Sequence, residues 1–208
     1  MIRNLIKFVV ILAVAGLVIG GGVAVLYGFF KKDIEQRDLA IKEEAIREVC
    51  PEGATVEVER PTAGRPFAPD AVYVARDSAG RVIAYIAQGE AQGYSSVVKV
   101  MVSANAEDFA VIRVVVLAQQ ETPGLGATVA ETRSTWTLWQ KLFGSDEPEQ
   151  RINAFLDQFR GKRVEEFPEI HAITAATITS NATQRAVEQA LERIRQAVER
   201  TKQEAPSE

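Results

Sequence analysis

Residues 5–30 are apolar almost without interruption, and Lys7 is the one charge among them. A helix needs ~20 apolar residues to cross the hydrocarbon core of a bilayer, so this run is long enough to span one. A secretory signal also begins this way, but its apolar stretch is only about 7–15 residues and ends at a small-residue cleavage site. The run is therefore read as an uncleaved anchor, which leaves about 150 residues for one compact domain with a real core. Arg3 precedes the run, Lys7 lies at its start and Lys31 and Lys32 follow it, so the positive charges orient it only weakly. Gly16, Gly20, Gly21 and Gly22 can admit a neighbouring helix closely or be ordinary membrane glycines, and the sequence leaves both open.

Charge and cysteine content narrow what the domain can do. With 24 Lys+Arg against 28 Asp+Glu the net charge is -4, and a chain without a basic surface is a poor nucleic-acid binder. Cys50 and His171 are the only cysteine and histidine, which excludes an internal disulfide framework and any multi-cysteine or His/Cys metal cluster built by this chain alone. Hard chemistry must then come from an organic cofactor or a partner.

Apolar spacing from Ile34 to Val49 predicts a stalk helix, stopped by Pro51, with Cys50 as a packing residue at its end. Strands are predicted over 54–59, 71–75 and 81–88, with a hairpin turn at 77–80. A second pair covers 97–103 and 109–117 around a turn at 105–108. Residues 111–116 are apolar on both faces apart from Arg113, which predicts a central strand covered on both sides. Trp136, Trp139 and Phe143 fall on one helical face. A helix over 147–159 would bury Ile152, Phe155, Leu156 and Phe159 and end at Gly161. The last helix should start near Ser180 and Asn181 and run to about Thr201, turning Ala186, Val187, Ala190, Leu191, Ile194, Ala197 and Val198 inward. The fold class is α+β: an N-terminal transmembrane helix followed by an antiparallel sheet with packed helices. Its expected parts are the anchor at 1–32, the stalk at 33–50, the domain at 51–201 and a polar tail at 202–208.

Two stretches concentrate chemistry. Glu121-Thr122-Pro123-Gly124-Leu125-Gly126 follows directly on a strand, and its Pro-Gly and second Gly impose a tight turn with exposed N–H groups, suited to a planar or anionic ligand or simply to a turn. Thr174-Ala175-Ala176-Thr177-Ile178-Thr179-Ser180-Asn181 sets hydroxyls at a helix N-terminus, with Ser180 or Asn181 as the cap. Such a terminus holds a phosphate cheaply, and a plain cap is the alternative use.

Taken together, the N-terminal membrane helix, Gly93-Tyr94-Ser95-Ser96 opening a strand, the Glu121 to Gly126 loop and the threonine stretch resemble the FMN-binding G component of the Rnf electron-transport complex. The C component of the sodium-translocating NADH:quinone oxidoreductase shares that domain. The resemblance implies a flavoprotein electron carrier in the inner membrane, its soluble domain on the periplasmic side, working with other membrane subunits. It also implies that a flavin transferase attaches FMN through its phosphate to the last threonine of a Ser/Thr-Gly-Ala-Thr motif. Carried over, this is Thr177, with Thr174 and Ala176 matching and Thr179 and Ser180 beside it. Ala175 stands where the family has glycine, and His171 where it has aspartate six residues before the modified threonine. A component of a quinone-reducing sodium pump, or a flavin-free docking module of the same fold, are the other readings.

Overall fold

The structure, a computed structural model, describes residues 2–58, 68, 70–134 and 151–204. Helix α1 (Ile2–Val49) is continuous, and its side chains from 6 to 41 are all exposed. By length and composition it is long and apolar enough to cross a membrane. The chain divides into Met1–Ile41 and Lys42–Glu208, and the second unit carries the sheet.

Five strands form a meander in the order β1 (Thr55–Val58), β2 (Val72–Arg76), β3 (Val82–Gln92), β4 (Val97–Asn105) and β5 (Val111–Ala118), every neighbouring pair antiparallel. Side chains alternate between two cores, as a pleated strand requires. Val72, Ala87, Val100, Val102 and Val114 belong to the core that the final helix, α2 (Thr177–Glu204), shares with Phe155, Phe159 and Phe167. Tyr73, Ile86 and Met101 face Ala45, Ile46 and Val49 at the end of α1, with Val115 and Leu117 half-buried beside them. One face of the sheet thus carries α2 and the other the end of α1, and burying each large aliphatic side chain contributes about 1.5–3 kcal/mol.

Helix α2 crosses β3 at close range. Gly89 makes this possible, since a Cβ there would lie 1.8 Å from the Ala186 carbonyl oxygen. The Glu90 N–H donates to Gln189 Oε1 (2.8 Å) and Arg193 Nη1 donates to the Gln88 carbonyl (2.6 Å) along the same crossing. All seven residues predicted to face inward do so, six buried and Ala197 half-buried.

Three expectations need correction. β5 is not central: it is an edge strand, its start paired instead with the 161–162 backbone through Gly161 N–H to the Val111 carbonyl (2.7 Å) and Val111 N–H to the Lys162 carbonyl (2.9 Å). It is covered on both faces because layers lie above and below the sheet, which says nothing about who lies beside it. The helix expected over 147–159 is, where described, a short strand β7 (Arg151–Ile152), paired with β6 (Arg133–Ser134), then a 3-10 turn (Leu156–Phe159). Asn153 sets that turn: its Oδ1 accepts the Phe155 and Leu156 N–H groups, and its Nδ2 donates to the Val129 carbonyl. Phe155, Leu156 and Phe159 are buried as expected, with Phe159 edge-on to both Phe155 and Phe167. The third correction is the start of α2, which lies at Thr177 and so precedes Ser180 by three residues. Trp136, Trp139, Phe143 and residues 147–150 lie outside the described residues.

Candidate functional site

The loop after β5 begins with Glu121, and its side chain is 7% exposed. A carboxylate that far from water needs donors, and every donor it has comes from another segment. Oε1 accepts the Ser95 N–H (3.1 Å), the Ser96 N–H (2.9 Å) and the Ser96 hydroxyl (3.2 Å), all in the β3–β4 turn. Oε2 accepts the Thr179 hydroxyl (2.8 Å) from the first turn of α2. Ser96 Oγ accepts the Gln120 N–H in turn (2.8 Å), locking the loop to the hairpin. Burial alone would raise the Glu121 pKa, but the hydrogen bonds from Thr179, Ser96 and Ser95 outweigh it and hold the carboxyl below the ordinary glutamate range.

Two glycines make room for this carboxylate. A Cβ on Gly93 would stand 2.6 Å from Glu121 Oε1, and one on Gly126 would stand 2.6 Å from Thr179 Oγ1 and 2.9 Å from Glu121 Oε2. Between them, Thr122 and Leu125 close a four-residue turn through the Leu125 N–H on the Thr122 carbonyl (3.1 Å). Pro123 occupies its second place and Gly124, at φ +74°, its third, the arrangement a type II turn favours. The tight turn expected from the Pro-Gly pair is present.

The threonine stretch is built the same way. The Ala176 N–H donates to the Ile173 carbonyl (3.0 Å), and Ala175 sits at the third place with φ +62°. Alanine thus takes the left-handed conformation that glycine reaches without cost. The Ala176 carbonyl then accepts the Ser180 N–H (2.9 Å), so Ala176 is the cap residue and Thr177 the first residue of α2. Ser180 is no cap: it is buried, and its hydroxyl accepts the Ile173 N–H (3.0 Å) from below the turn. Thr179 is equally committed to Glu121, whereas Thr174, Ala175 and Thr177 are exposed. An alanine cap brings no side-chain acceptor, and the N–H groups of Thr177, Ile178 and Thr179 have none within the helix.

The structure therefore brings the two predicted stretches together but divides their residues. Glu121, Gly126, Thr179, Ser180 and Ala176 face inward, while Thr122, Pro123, Gly124, Leu125, Thr174, Ala175 and Thr177 face outward. Sequence reasoning did not find the internal role of Glu121 or its grip on Ser95 and Ser96. Of the apolar rim it singled out Leu125 alone. Among the described residues of the second unit, the exposed large hydrophobic side chains are Tyr94, Val97, Leu125 and Ile178. Each adjoins in sequence a residue that contacts Glu121 or packs against it. His171 is exposed, and its backbone is held by Gln158 through both amide atoms (2.9 and 3.2 Å).

A cleft of about 570 Å3 lies elsewhere, lined by Ile46, Arg47, Cys50, Val56 and Tyr73 among others, none of them in the Glu121 cluster. Burial pushes the Cys50 thiol up and the Tyr73 phenol to about 12, so both stay protonated at neutral pH.

The G component of the proton-translocating ferredoxin:NAD(+) oxidoreductase complex of Clostridium ljungdahlii is 26% identical to this chain over 122 residues. That match spans 59% of this chain and 59% of the relative. The crystal structure of Shewanella oneidensis NqrC is similar at a TM-score of 0.44 and 18% identity, covering 74% of this chain and 73% of that one. A model of the FMN-binding domain family matches residues 93–192, a span that holds the hairpin turn, the Glu121 loop and the start of α2. That span coincides with the three segments gathered at Glu121, and over it the chain is similar to the FMN-binding domain family.

Proposed function

We propose that this chain is a membrane-anchored flavoprotein that carries electrons in an Rnf-type ion-translocating ferredoxin:NAD oxidoreductase complex, with FMN joined through its phosphate to Thr177. The observation that carries the reading is that Thr177 is an exposed hydroxyl on the first residue of a long helix whose first-turn N–H groups have no intrahelical acceptor. A phosphodiester is a fitting anion for that place, where the helix dipole adds to the N–H groups. Tyr94, Val97, Leu125 and Ile178 offer apolar surface that would shield one side of a planar ring from water.

When bound, the flavin supplies the redox chemistry, and the protein supplies position and electrostatics. Thr177 would hold the phosphate, the N–H groups of residues 177–179 would balance its charge, and Glu121 would keep the three segments assembled without touching the ring. Attachment requires an activated donor such as a flavin dinucleotide. The Thr177 Oγ–P bond forms, the anhydride P–O bond breaks, and the nucleotide leaves with the hydroxyl proton; no electrons are exchanged. A flavin transferase is the partner for that step.

Helix α1 would anchor the chain, with the domain on the extracytoplasmic side and other membrane subunits around it. A C-terminal reporter enzyme active only outside the cytoplasm tests the side: expressed but silent, it reverses the orientation. For the cofactor, the full chain is co-expressed with a flavin transferase, denatured and run on a gel under ultraviolet light. A fluorescent band that vanishes with Thr177→Ala is expected. A dark wild-type band, or a bright Thr177→Ala band, rules out the attachment. A dark wild-type band would favour the flavin-free docking module.

A further inference from the structure

We infer that Glu121 is a positioning residue that selects Thr177, among the neighbouring hydroxyls, as the one presented for modification; this rests on the attachment proposed above. Thr174, Thr177, Thr179 and Ser180 lie within seven residues, and sequence alone makes each a plausible acceptor. On a helix, residues two apart point in nearly opposite directions, so the rotation of the first turn decides whether Thr177 or Thr179 faces out. Nothing in the turn 173–176 fixes that rotation by itself, because its third residue is an alanine held in a conformation alanine disfavours.

The rotation is fixed from outside, by the buried face of α2 that follows and, within the first turn, by Glu121. Thr179 donates to Glu121 Oε2, and Gly126 leaves just enough room for that hydroxyl. Glu121 cannot follow Thr179 outward, since its other oxygen is tied to Ser95 and Ser96 on the hairpin. Ser180 is drawn in beside it by the Ile173 N–H. With Thr179 and Ser180 held inside, Thr177 is the hydroxyl of α2's first turn left at the surface. Thr174 is exposed too, but it precedes the helix and lacks the first-turn N–H groups that would receive the phosphate.

The test uses the full chain co-expressed with a flavin transferase, as wild type, Glu121→Ala, Glu121→Gln and Thr179→Val. Flavin is counted and located by peptide mass mapping, and amide exchange is read over 174–180. Wild type should carry flavin on Thr177 alone. Glu121→Ala and Thr179→Val should lose about tenfold or more of it, the worth of a hydrogen bond to a charged group, with faster exchange over 174–180 and the remainder spread onto Thr174 or Thr179 in Glu121→Ala and onto Thr174 in Thr179→Val. Glu121→Gln, whose amide can still bridge the serine N–H groups and the Thr179 hydroxyl, should restore most of the Thr177 label. A role confined to general stability would reduce the amount without moving the position, and that outcome overturns the inference. Thr179→Val keeps the side-chain volume and carries the test if Glu121→Ala does not fold. Should wild type carry no flavin, the attachment reading fails on its own; the inference then stands or falls on exchange over 174–180, and unchanged rates in Thr179→Val overturn it.

Discussion

Two turns closed in the same way lead into the site, and the contrast between them lies at the third place. In 122–125 the third place is Gly124 at φ +74°, and the turn runs on into the 3-10 helix Gly126–Ala130. In 173–176 the third place is Ala175 at φ +62°, and the turn runs on into α2. Glycine takes this conformation freely, whereas an L-residue with a Cβ loses roughly 1–2 kcal/mol there. The second turn holds its shape because its surroundings fix it: the Ile173 N–H on Ser180 Oγ, Thr179 on Glu121, and the buried face of α2 that follows. One turn is specified by its own sequence and the other by contacts up to 58 residues away.

Substitutions can separate these two causes. The largest effect is expected at Gly126, which has no unusual φ but no space either: Gly126→Ala drives a Cβ into Thr179 Oγ1 and the Glu121 side chain. Overpacking of this kind costs about 1–3 kcal/mol, so thermal unfolding should show a drop of several degrees. Acidification comes next. The Glu121 carboxyl lies below the ordinary range in the folded state, so its contribution is complete above the unfolded value. It is lost as pH falls through the lower folded value. Denaturant midpoints measured downward from neutral pH should therefore fall more steeply in wild type than in Glu121→Gln, which has no carboxyl to protonate at that place.

Gly124→Ala is the milder partner of Gly126→Ala. Its Cβ meets nothing within 4 Å, so the backbone strain, less the freedom that alanine removes from the unfolded chain, leaves a cost of about 1 kcal/mol. The smallest effect, of opposite sign, belongs to Ala175→Gly. Strain relief is partly offset by the greater freedom of glycine in the unfolded chain, leaving a gain of about 0.5 kcal/mol. Equal and opposite shifts from Gly124→Ala and Ala175→Gly would mean that both turns are governed locally, and the contrast between them would dissolve.

Much of this was readable in the residues. Period-two alternation marked the strands, a Pro-Gly pair marked the first turn, and apolar spacing chose the inward face of α2 correctly. What escaped was long-range. Residues 111–116 are apolar on both faces whether the strand is central or at an edge, because face burial and lateral pairing are independent. Thr179 looks like a free hydroxyl at the helix mouth and Ser180 like its cap until Glu121 and Ile173 claim them, and those claims span 58 and 7 residues. Asn153 converts the amphipathic pattern ahead of Gly161 into a short turn through hydrogen bonds that no periodicity reports. A glutamate flanked in space by two glycines leaves no mark in linear order.

The most direct test of the central claim is mass mapping of peptide 164–185, released by trypsin after co-expression with a flavin transferase. That peptide contains Thr174, Thr177, Thr179, Ser180 and Thr183, so fragmentation discriminates among them. The account expects one FMN joined through phosphate, on Thr177 and nowhere else. Flavin on Thr179 or Ser180, or a peptide that remains unmodified, would contradict it.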